Sequence, residues 1–112
     1  MAMETAAIYC RLSQDDGSVG ESGSIQTQKT LLTQYCKEHH IKICDCYCDD
    51  GWSGTNFDRP NFKRMIDDIE LGKINMVIVK DLSRFGREYA QMGMYIEHYF
   101  EEKGVRFISV AE

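Results

Sequence analysis

The sequence predicts an α/β fold, a three-layer sandwich with a mostly parallel central sheet. Strand-like and helix-like segments alternate in the order βαβαβαβ, and helical crossovers between consecutive strands favour parallel pairing. The run at 76–82, MVIVKDL, is nearly continuous in apolar residues, as is typical of a central strand covered on both faces. With 112 residues, 43% of them hydrophobic, the chain can form one domain with its own core.

The first half of the chain contains two predicted strands and the first helix. AAIYCRL (6–12) is the first strand, and a loop rich in glycine, serine and aspartate follows at 14–23. Apolar residues then recur at helical spacing, and Ser24 is a suitable N-cap for this helix. IKICDCYC (41–48) alternates with the period expected of a second strand.

Two further helices are predicted in the second half. After a turn-rich segment at 49–58, Pro60 occupies a first helical position, and Gly72 is placed to end the second helix. The third helix is predicted to run from a cap at Ser83 to Gly104. Its apolar stripe consists of Phe85, Tyr89, Met92, Ile96, Tyr99 and Phe100.

The cysteine pattern favours reduced thiols over a metal site. The five cysteines are Cys10, Cys36, Cys44, Cys46 and Cys48. In a strand, the three cysteines of 44–48 would share one face, because side chains alternate with a period of two. Tetrahedral zinc needs four ligands, usually from two loops, and the sequence has no matching second pair. We therefore expect thiols lining one strand face, with no metal and no cofactor.

The charge and the ends of the sequence limit the class of protein. A net charge of −5 and a pI near 5.2 argue against a free-standing nucleic-acid-binding protein. Either the domain does not touch nucleic acid, or most of the affinity comes from another part of the protein. The fourth predicted strand, VRFISV (105–110), ends almost at the last residue, so we expect residues 1–112 to be one truncated domain. Since the sequence has neither a membrane-span pattern nor a signal-peptide pattern, we expect a soluble cytoplasmic protein without a membrane partner.

The end of the first strand carries a candidate nucleophile. Tyr9, Arg11 and Ser13 alternate there, so all three can point to the same side. A serine hydroxyl is a weak nucleophile that needs neighbours to lower its pKa or stabilise its product. Arg11 can do both, although Ser13 could also simply begin a loop.

A second candidate group lies in KDLSRFGRE (80–88). Arg84 and Arg87 are three residues apart at a predicted helix start, so their guanidinium groups should share one face. The helix N-terminus adds N–H donors, and the planar fork of arginine suits phosphate. The alternative is that the two arginines pair with Asp81 and Glu88.

Arg59 completes a predicted anion site. It precedes the second helix in a turn that follows a strand, and functional groups in α/β folds gather at the carboxyl ends of strands. The site would then hold one serine and four arginines. A Ser–His–Asp mechanism needs a histidine base, and His39, His40 and His98 are poorly placed for that task. A cation-rich pocket without metal suits attack on a phosphodiester.

The motifs resemble the serine recombinase family of resolvases, invertases and transposon or phage integrases, and especially its large members. They are IYCRLS (8–13), the D-x-x-S-G turn at 50–54 with DRP at 58–60, and VIVKDLSRFGRE (77–88). The resemblance implies a resolvase-like catalytic domain in which Ser13 forms a 5′-phosphoserine link to cleaved double-stranded DNA. It implies that the scissile phosphate is bound and activated by Arg11, Arg59, Arg84 and Arg87.

The resemblance also implies partners and a cellular setting. Family members form dimers, and tetramers in synapsis, and they carry DNA-binding domains C-terminal to the catalytic domain. A prokaryotic mobile element is the expected source.

Two positions depart from the family pattern. Small resolvases carry an aspartate where this sequence has Ser83, so the function of that aspartate is in doubt or falls to Asp81. Gln28 matches the S-I-x-x-Q pattern that begins at Ser24, as a supporting residue.

Two alternative functions that involve no DNA strand transfer are also consistent with the residues alone. One is a phosphate-binding or signalling module on a flavodoxin-like fold, for which Asp49 and Asp50 could offer part of an acidic cluster. The other is a catalytically idle interaction domain, which the acidic charge would suit.

Overall fold

Four parallel strands form the sheet of the computed structural model, in the order β2-β1-β3-β4. The structure describes residues 4–12, 24–51, 57–86 and 89–111. The strands are β1 (Thr5–Leu12), β2 (Lys42–Asp50), β3 (Met76–Val79) and β4 (Arg106–Ser109). The α/β sandwich with a parallel central sheet is confirmed.

The first two helices begin where the sequence predicts. In α1 (Ile25–Glu38), the Ser24 hydroxyl accepts a hydrogen bond from the Thr27 N–H at 3.0 Å. In α2 (Pro60–Glu70), the proline stands at the start, where its missing N–H costs no helical hydrogen bond. No helix in the described part of the chain is long and apolar enough to span a membrane.

The alternation of β1 divides the core into two parts. Ala6, Ile8 and Cys10 pack against the layer that contains α1. Ala7 and Tyr9 face the opposite layer, which contains α2 and the helical segments after β3. Since β1 lies between β2 and β3, its side chains are covered on both faces. The site residues of β1 therefore stand on a rigid, central strand.

A β-bulge corrects the predicted cysteine face. Ala6 pairs with Ile43 but Ala7 pairs with Asp45, so Cys44 is an extra residue in β2. Cys46 and Cys48 pack against the α1 side of the core, whereas Cys44 is exposed. The prediction that all three share one face is wrong for Cys44, because the bulge interrupts the alternation.

The third predicted helix is not continuous. It divides into α3 (Leu82–Phe85), α4 (Tyr89–Gly93), π-helical turns (Met94–Tyr99) and α5 (Phe100–Glu102). Its N-cap is Asp81, which replaces the predicted Ser83. β3 accordingly ends at Val79, earlier than the predicted 82, because Asp81 already belongs to the next element.

The break after α3 has a packing reason. Gly86 is extended, with φ 176° and ψ 172°, and a Cβ at this position would lie 2.5 Å from Cζ of Phe57. The Phe57 ring is itself held among other aromatic rings, with centroids 5.1 Å from Phe85 and 5.0 Å from Tyr95. The backbone at Gly86 thus passes directly over the packed Phe57 ring, and the helix ends there.

Candidate active site

The end of β1 is held by α1 through one side chain. The Gln28 amide accepts from the Arg11 N–H at 3.2 Å and donates to the Arg11 carbonyl at 3.1 Å. Both Gln28 and Arg11 are fully buried. Gln28 therefore completes the hydrogen bonding of the strand backbone two residues before Ser13, which itself lies outside the described residues.

Arg84 reaches the same point from α3. Its Nη1 donates to the Arg11 carbonyl oxygen at 3.4 Å. The Asp81 carboxylate accepts from the backbone N–H of Arg84 at 3.1 Å, so this aspartate caps α3 at the residue that carries the guanidinium. Lys80 Nζ lies 4.0 Å from the same carboxylate. The side chain of Ser83 is not among those described.

Arg59 connects β1 to the end of α3. Its side chain is completely buried, and Nη1 donates to the Tyr9 hydroxyl at 3.0 Å and to the Phe85 carbonyl at 2.7 Å. Its guanidinium carbon lies 4.5 Å from the ring centroid of Phe57. Hydrogen bonds and aromatic faces together offset the cost of burying this charge.

Asp49 lies beside Tyr9 and Arg59, a position that the sequence reasoning did not predict, since it considered Asp49 only as part of a signalling cluster. Its carboxylate is 1% exposed and accepts from the Tyr9 hydroxyl at 2.8 Å and from the N–H groups of Asn61 and Phe62 at 3.0 Å each. A buried carboxylate without such donors would cost several kcal/mol. The sequence did contain a cue for these contacts. An aspartate ends a predicted strand shortly before a predicted helix, and the first N–H groups of a helix need hydrogen-bond acceptors.

Tyr9 remains a phenol under ordinary conditions. Burial raises the pKa of Tyr9 well above its usual value, although Arg59 opposes that shift. The hydroxyl proton therefore stays available for Asp49, and the oxygen accepts from Arg59.

In the described part of the chain, Asp49 and Asp50 do not form the acidic cluster that a signalling domain would need. Asp49 is buried and has three donors, whereas Asp50 is exposed. Within the described ranges no group of three histidine, cysteine or acidic residues is arranged to hold a metal ion.

The single helix predicted to carry Arg84 and Arg87 is interrupted between these two positions. The helix that should carry both ends at Phe85, and Gly86 is extended. Arg87 is outside the described residues. Of the other predicted arginines, Arg59 donates to the Tyr9 hydroxyl and the Phe85 carbonyl, and Arg84 donates to the backbone carbonyl of Arg11, whose own side chain is fully buried.

The guanidinium groups of Arg59 and Arg84 thus donate hydrogen bonds to groups near the ends of β1 and α3. Two carboxylates lie beside them: Asp49 accepts from the Tyr9 hydroxyl, and Asp81 accepts from the backbone N–H of Arg84. A site of this kind can bind an anion and stabilise charge on phosphoryl oxygens.

Comparisons with known proteins agree with this chemistry. The profile of the family described as Resolvase, N terminal domain, matches residues 6–112. The structure is similar to the N-terminal catalytic domain of TP901-1 integrase, with a TM-score of 0.85 and 31% identity over 96% of this chain and 77% of the other.

Two other solved structures show the same fold. A resolvase family site-specific recombinase from Streptococcus pneumoniae has a TM-score of 0.74 and 27% identity, over 96% of this chain and 72% of that one. The C-terminal catalytic domain of ISC1926 TnpA, an IS607-like serine recombinase, has a TM-score of 0.77 and 26% identity, over 95% and 67%.

Proposed function

The chain belongs to the resolvase N-terminal domain family, and from this premise we propose that Ser13 cuts DNA by attacking a phosphodiester during site-specific recombination. Members of this family catalyse recombination, and this chain is a recombinase domain of the same family. The proposal concerns which residues of this chain carry the chemistry. The observation that supports it most is the contact between Arg84 Nη1 and the Arg11 carbonyl, two residues before Ser13.

The proposed reaction is an exchange of phosphoester bonds. The Ser13 oxygen bonds to the phosphorus and loses its proton, while the bond to the 3′ oxygen breaks and that oxygen takes up a proton. The products are a 5′-phosphoserine link and a free 3′-hydroxyl. Rejoining is the reverse attack by the 3′-hydroxyl of an incoming strand. One phosphoester replaces another in each direction, so no external energy source is needed.

The arginines supply the electrostatic part of the proposal. Arg11, Arg59, Arg84 and Arg87 would bind the scissile phosphate and stabilise the charge that develops on its oxygens, without a metal ion. Tyr9, Gln28 and Asp81 would support them through the contacts described above. Ser83 stands where small resolvases carry an aspartate, and Asp81 is the carboxylate whose contacts support Arg84.

Binding and assembly are assigned to other parts of the enzyme. With a net charge of −5, this domain is poorly suited to hold double-stranded DNA by itself, so we assign site affinity to domains C-terminal to residue 112. Self-association, as dimers and as a synaptic tetramer, would bring two DNA sites together.

Replacing Ser13 tests the proposal. In the full-length recombinase with its recombination-site duplex, Ser13→Ala should give no covalent protein–DNA adduct on a denaturing gel, because no other group takes over the attack. Ser18→Ala, a serine of the same segment, is the matched control and should give the parent amount of adduct. Undiminished adduct in the Ser13→Ala variant would refute the assignment.

A further inference from the structure

Two thiols meet at the end of β1, on the face of the strand opposite Tyr9. We propose that Cys10 and Cys48 are an oxidation site, which hydrogen peroxide converts into a disulfide that slows DNA cleavage. The effect on cleavage, but not the disulfide itself, rests on the proposed function of Ser13.

The two cysteines are register partners on adjacent strands. Cys10 of β1 pairs with Cys48 of the parallel strand β2, and both side chains lie in the core cluster on the α1 side of the sheet. Neighbouring strands are about 4.8 Å apart, and disulfides join residues whose Cα atoms are about 4.4–6.8 Å apart. The two backbones are therefore already close enough for a bond between the sulfurs.

The surroundings of the two thiols give them different parts in the reaction. Cys48 is half-buried, and a hydrogen bond from Cys10 lowers the pKa of its thiol to about 7, a shift that burial opposes and the charge of Lys29 favours. Cys10 has no exposed surface, and its contact with Cys48 and its burial raise its pKa far above the usual value. Because the thiolate is the form that reacts with peroxide, Cys48 is oxidised first, with the Cys10 thiol beside it.

The oxidation takes place in two balanced steps. The Cys48 thiolate attacks one oxygen of hydrogen peroxide, the O–O bond breaks, and a sulfenic acid and hydroxide form, the hydroxide then taking up a proton. The Cys10 sulfur attacks the sulfur of the sulfenic acid, loses its proton and displaces water. Two thiols and one peroxide thus give one disulfide and two waters, and the dithiol dithiothreitol returns both thiols.

Cys10 connects the new bond to the candidate active site. It lies three residues before Ser13 and directly precedes Arg11, whose carbonyl accepts from Gln28 and Arg84. Cβ atoms joined by a disulfide are about 3.8 Å apart, less than the separation of neighbouring strands, so the bond draws the end of β1 towards β2. Because small displacements of reacting groups are costly, the oxidised enzyme should cleave DNA more slowly.

Peptide mapping of the full-length recombinase tests the disulfide. After treatment with hydrogen peroxide and alkylation of the remaining thiols, trypsin should release the peptide that ends at Arg11 linked to peptide 43–63, and dithiothreitol should separate the two. Cys48→Ser should abolish this link. Cys46→Ser is the matched control, because Cys46 also lies on β2 and packs against the same core cluster, and it should leave the link intact.

Cleavage by the same samples tests the consequence. Single-turnover cleavage by the peroxide-treated parent should be about tenfold slower, or more, than by the reduced parent, and dithiothreitol should restore the rate. Cys48→Ser treated with peroxide should cleave at the rate of its own reduced form, whereas Cys46→Ser should be slowed like the parent.

Four results would overturn the inference. They are a parent enzyme without the link, a link that persists in Cys48→Ser, a linked enzyme that cleaves at the reduced rate, and an equal loss of rate in peroxide-treated Cys48→Ser. Failure of the reduced parent to form a Ser13 adduct would instead refute the proposed function, and the mapped link would then decide about the oxidation site by itself.

Discussion

Arg11 and Arg59 have no exposed surface, which is uncommon for arginine. Burying a cation costs several kcal/mol unless hydrogen bonds and opposite charges compensate. Arg59 meets this cost with the Tyr9 hydroxyl, the Phe85 carbonyl and the faces of aromatic rings. Such groups are strongly fixed, and fixed charges stabilise a transition state without reorganising at the moment of reaction.

Arg84→Lys tests the need for a guanidinium at the strand end. Lysine keeps the charge but loses the planar fork, so cleavage by the full-length enzyme should fall about 10²-fold or more, while site binding persists. Arg106→Lys is the control, because Arg106 is an exposed residue of β4 paired with Glu4. Cleavage at the parent rate by Arg84→Lys would contradict a role in activating the phosphate.

Sequence spacing predicted the residues of β1 but not their partners. Alternation placed Tyr9 and Arg11 at the end of the first strand, which the structure confirms. Asp49 could not be linked to them, because its donors are Tyr9, Asn61 and Phe62, and the first of these is 40 residues away. Contacts of this kind depend on strand register, which the sequence alone does not specify here.

At the scale of secondary-structure elements, the breaks between the helical segments after β3 determine the geometry of the site. α3 is a single turn ended by Gly86, and α4 begins only at Tyr89. The apolar period predicted one helix because both segments place residues such as Phe85 and Phe100 in the same core. One extended residue and a π-helical stretch leave the pattern of apolar residues in the sequence unchanged, so the apolar periodicity cannot reveal them.

Gly86→Ala tests the packing reason for the break. The added Cβ would meet the Phe57 ring at 2.5 Å, so we expect a loss of roughly 1–3 kcal/mol in the free energy of unfolding, measured by urea denaturation of residues 1–112. Gly93→Ala is the matched control, since no atom lies within 4 Å of its added Cβ and its φ of −62° is helical.

The control should move in the opposite direction. Alanine in a helix is favoured over glycine by roughly 0.5–1 kcal/mol, so Gly93→Ala should be neutral or stabilising. Equal stability of Gly86→Ala and the parent would show that Phe57 yields easily and that the break has another cause.

Local cues predicted the other elements well. The Ser24 cap and Pro60 both act within one helical turn, so the starts of α1 and α2 could be read directly. The bulge at Cys44 could not, because it appears only when β2 is aligned with β1. The helix starts, which depend on residues close in sequence, could thus be predicted. The bulge, which depends on pairing with a strand distant in sequence, could not.

Charge is distributed unevenly over the whole molecule. The chain has a net charge of −5, yet Arg59 and Arg84 both contact residues near the end of β1, and the side chains of Arg11 and Arg59 are fully buried. Such groups can act on one phosphate but offer little attraction along a duplex, because affinity for the DNA backbone depends on accessible cations. Chemistry and DNA affinity are therefore expected to be separable.

Isolated residues 1–112 should bind DNA weakly. Fluorescence anisotropy with the recombination-site duplex at physiological salt should give a Kd weaker than about 10⁻⁵ M, within the range of non-specific binding. A scrambled duplex of the same length should bind equally weakly. Nanomolar binding that distinguishes the two duplexes would contradict the assignment of site affinity to other domains.

Mapping the covalent DNA adduct tests the central claim most directly. After cleavage by the full-length enzyme and digestion of the DNA, trypsin cuts behind Arg11 and Lys29 and releases peptide 12–29, which contains Ser13, Ser18, Ser22 and Ser24. Fragmentation in the mass spectrometer should locate the remaining nucleotide on Ser13 through its 5′ phosphate, with a free 3′-hydroxyl on the other DNA end. A nucleotide on any other serine, or cleaved DNA with a free 5′ phosphate and no protein link, would contradict it.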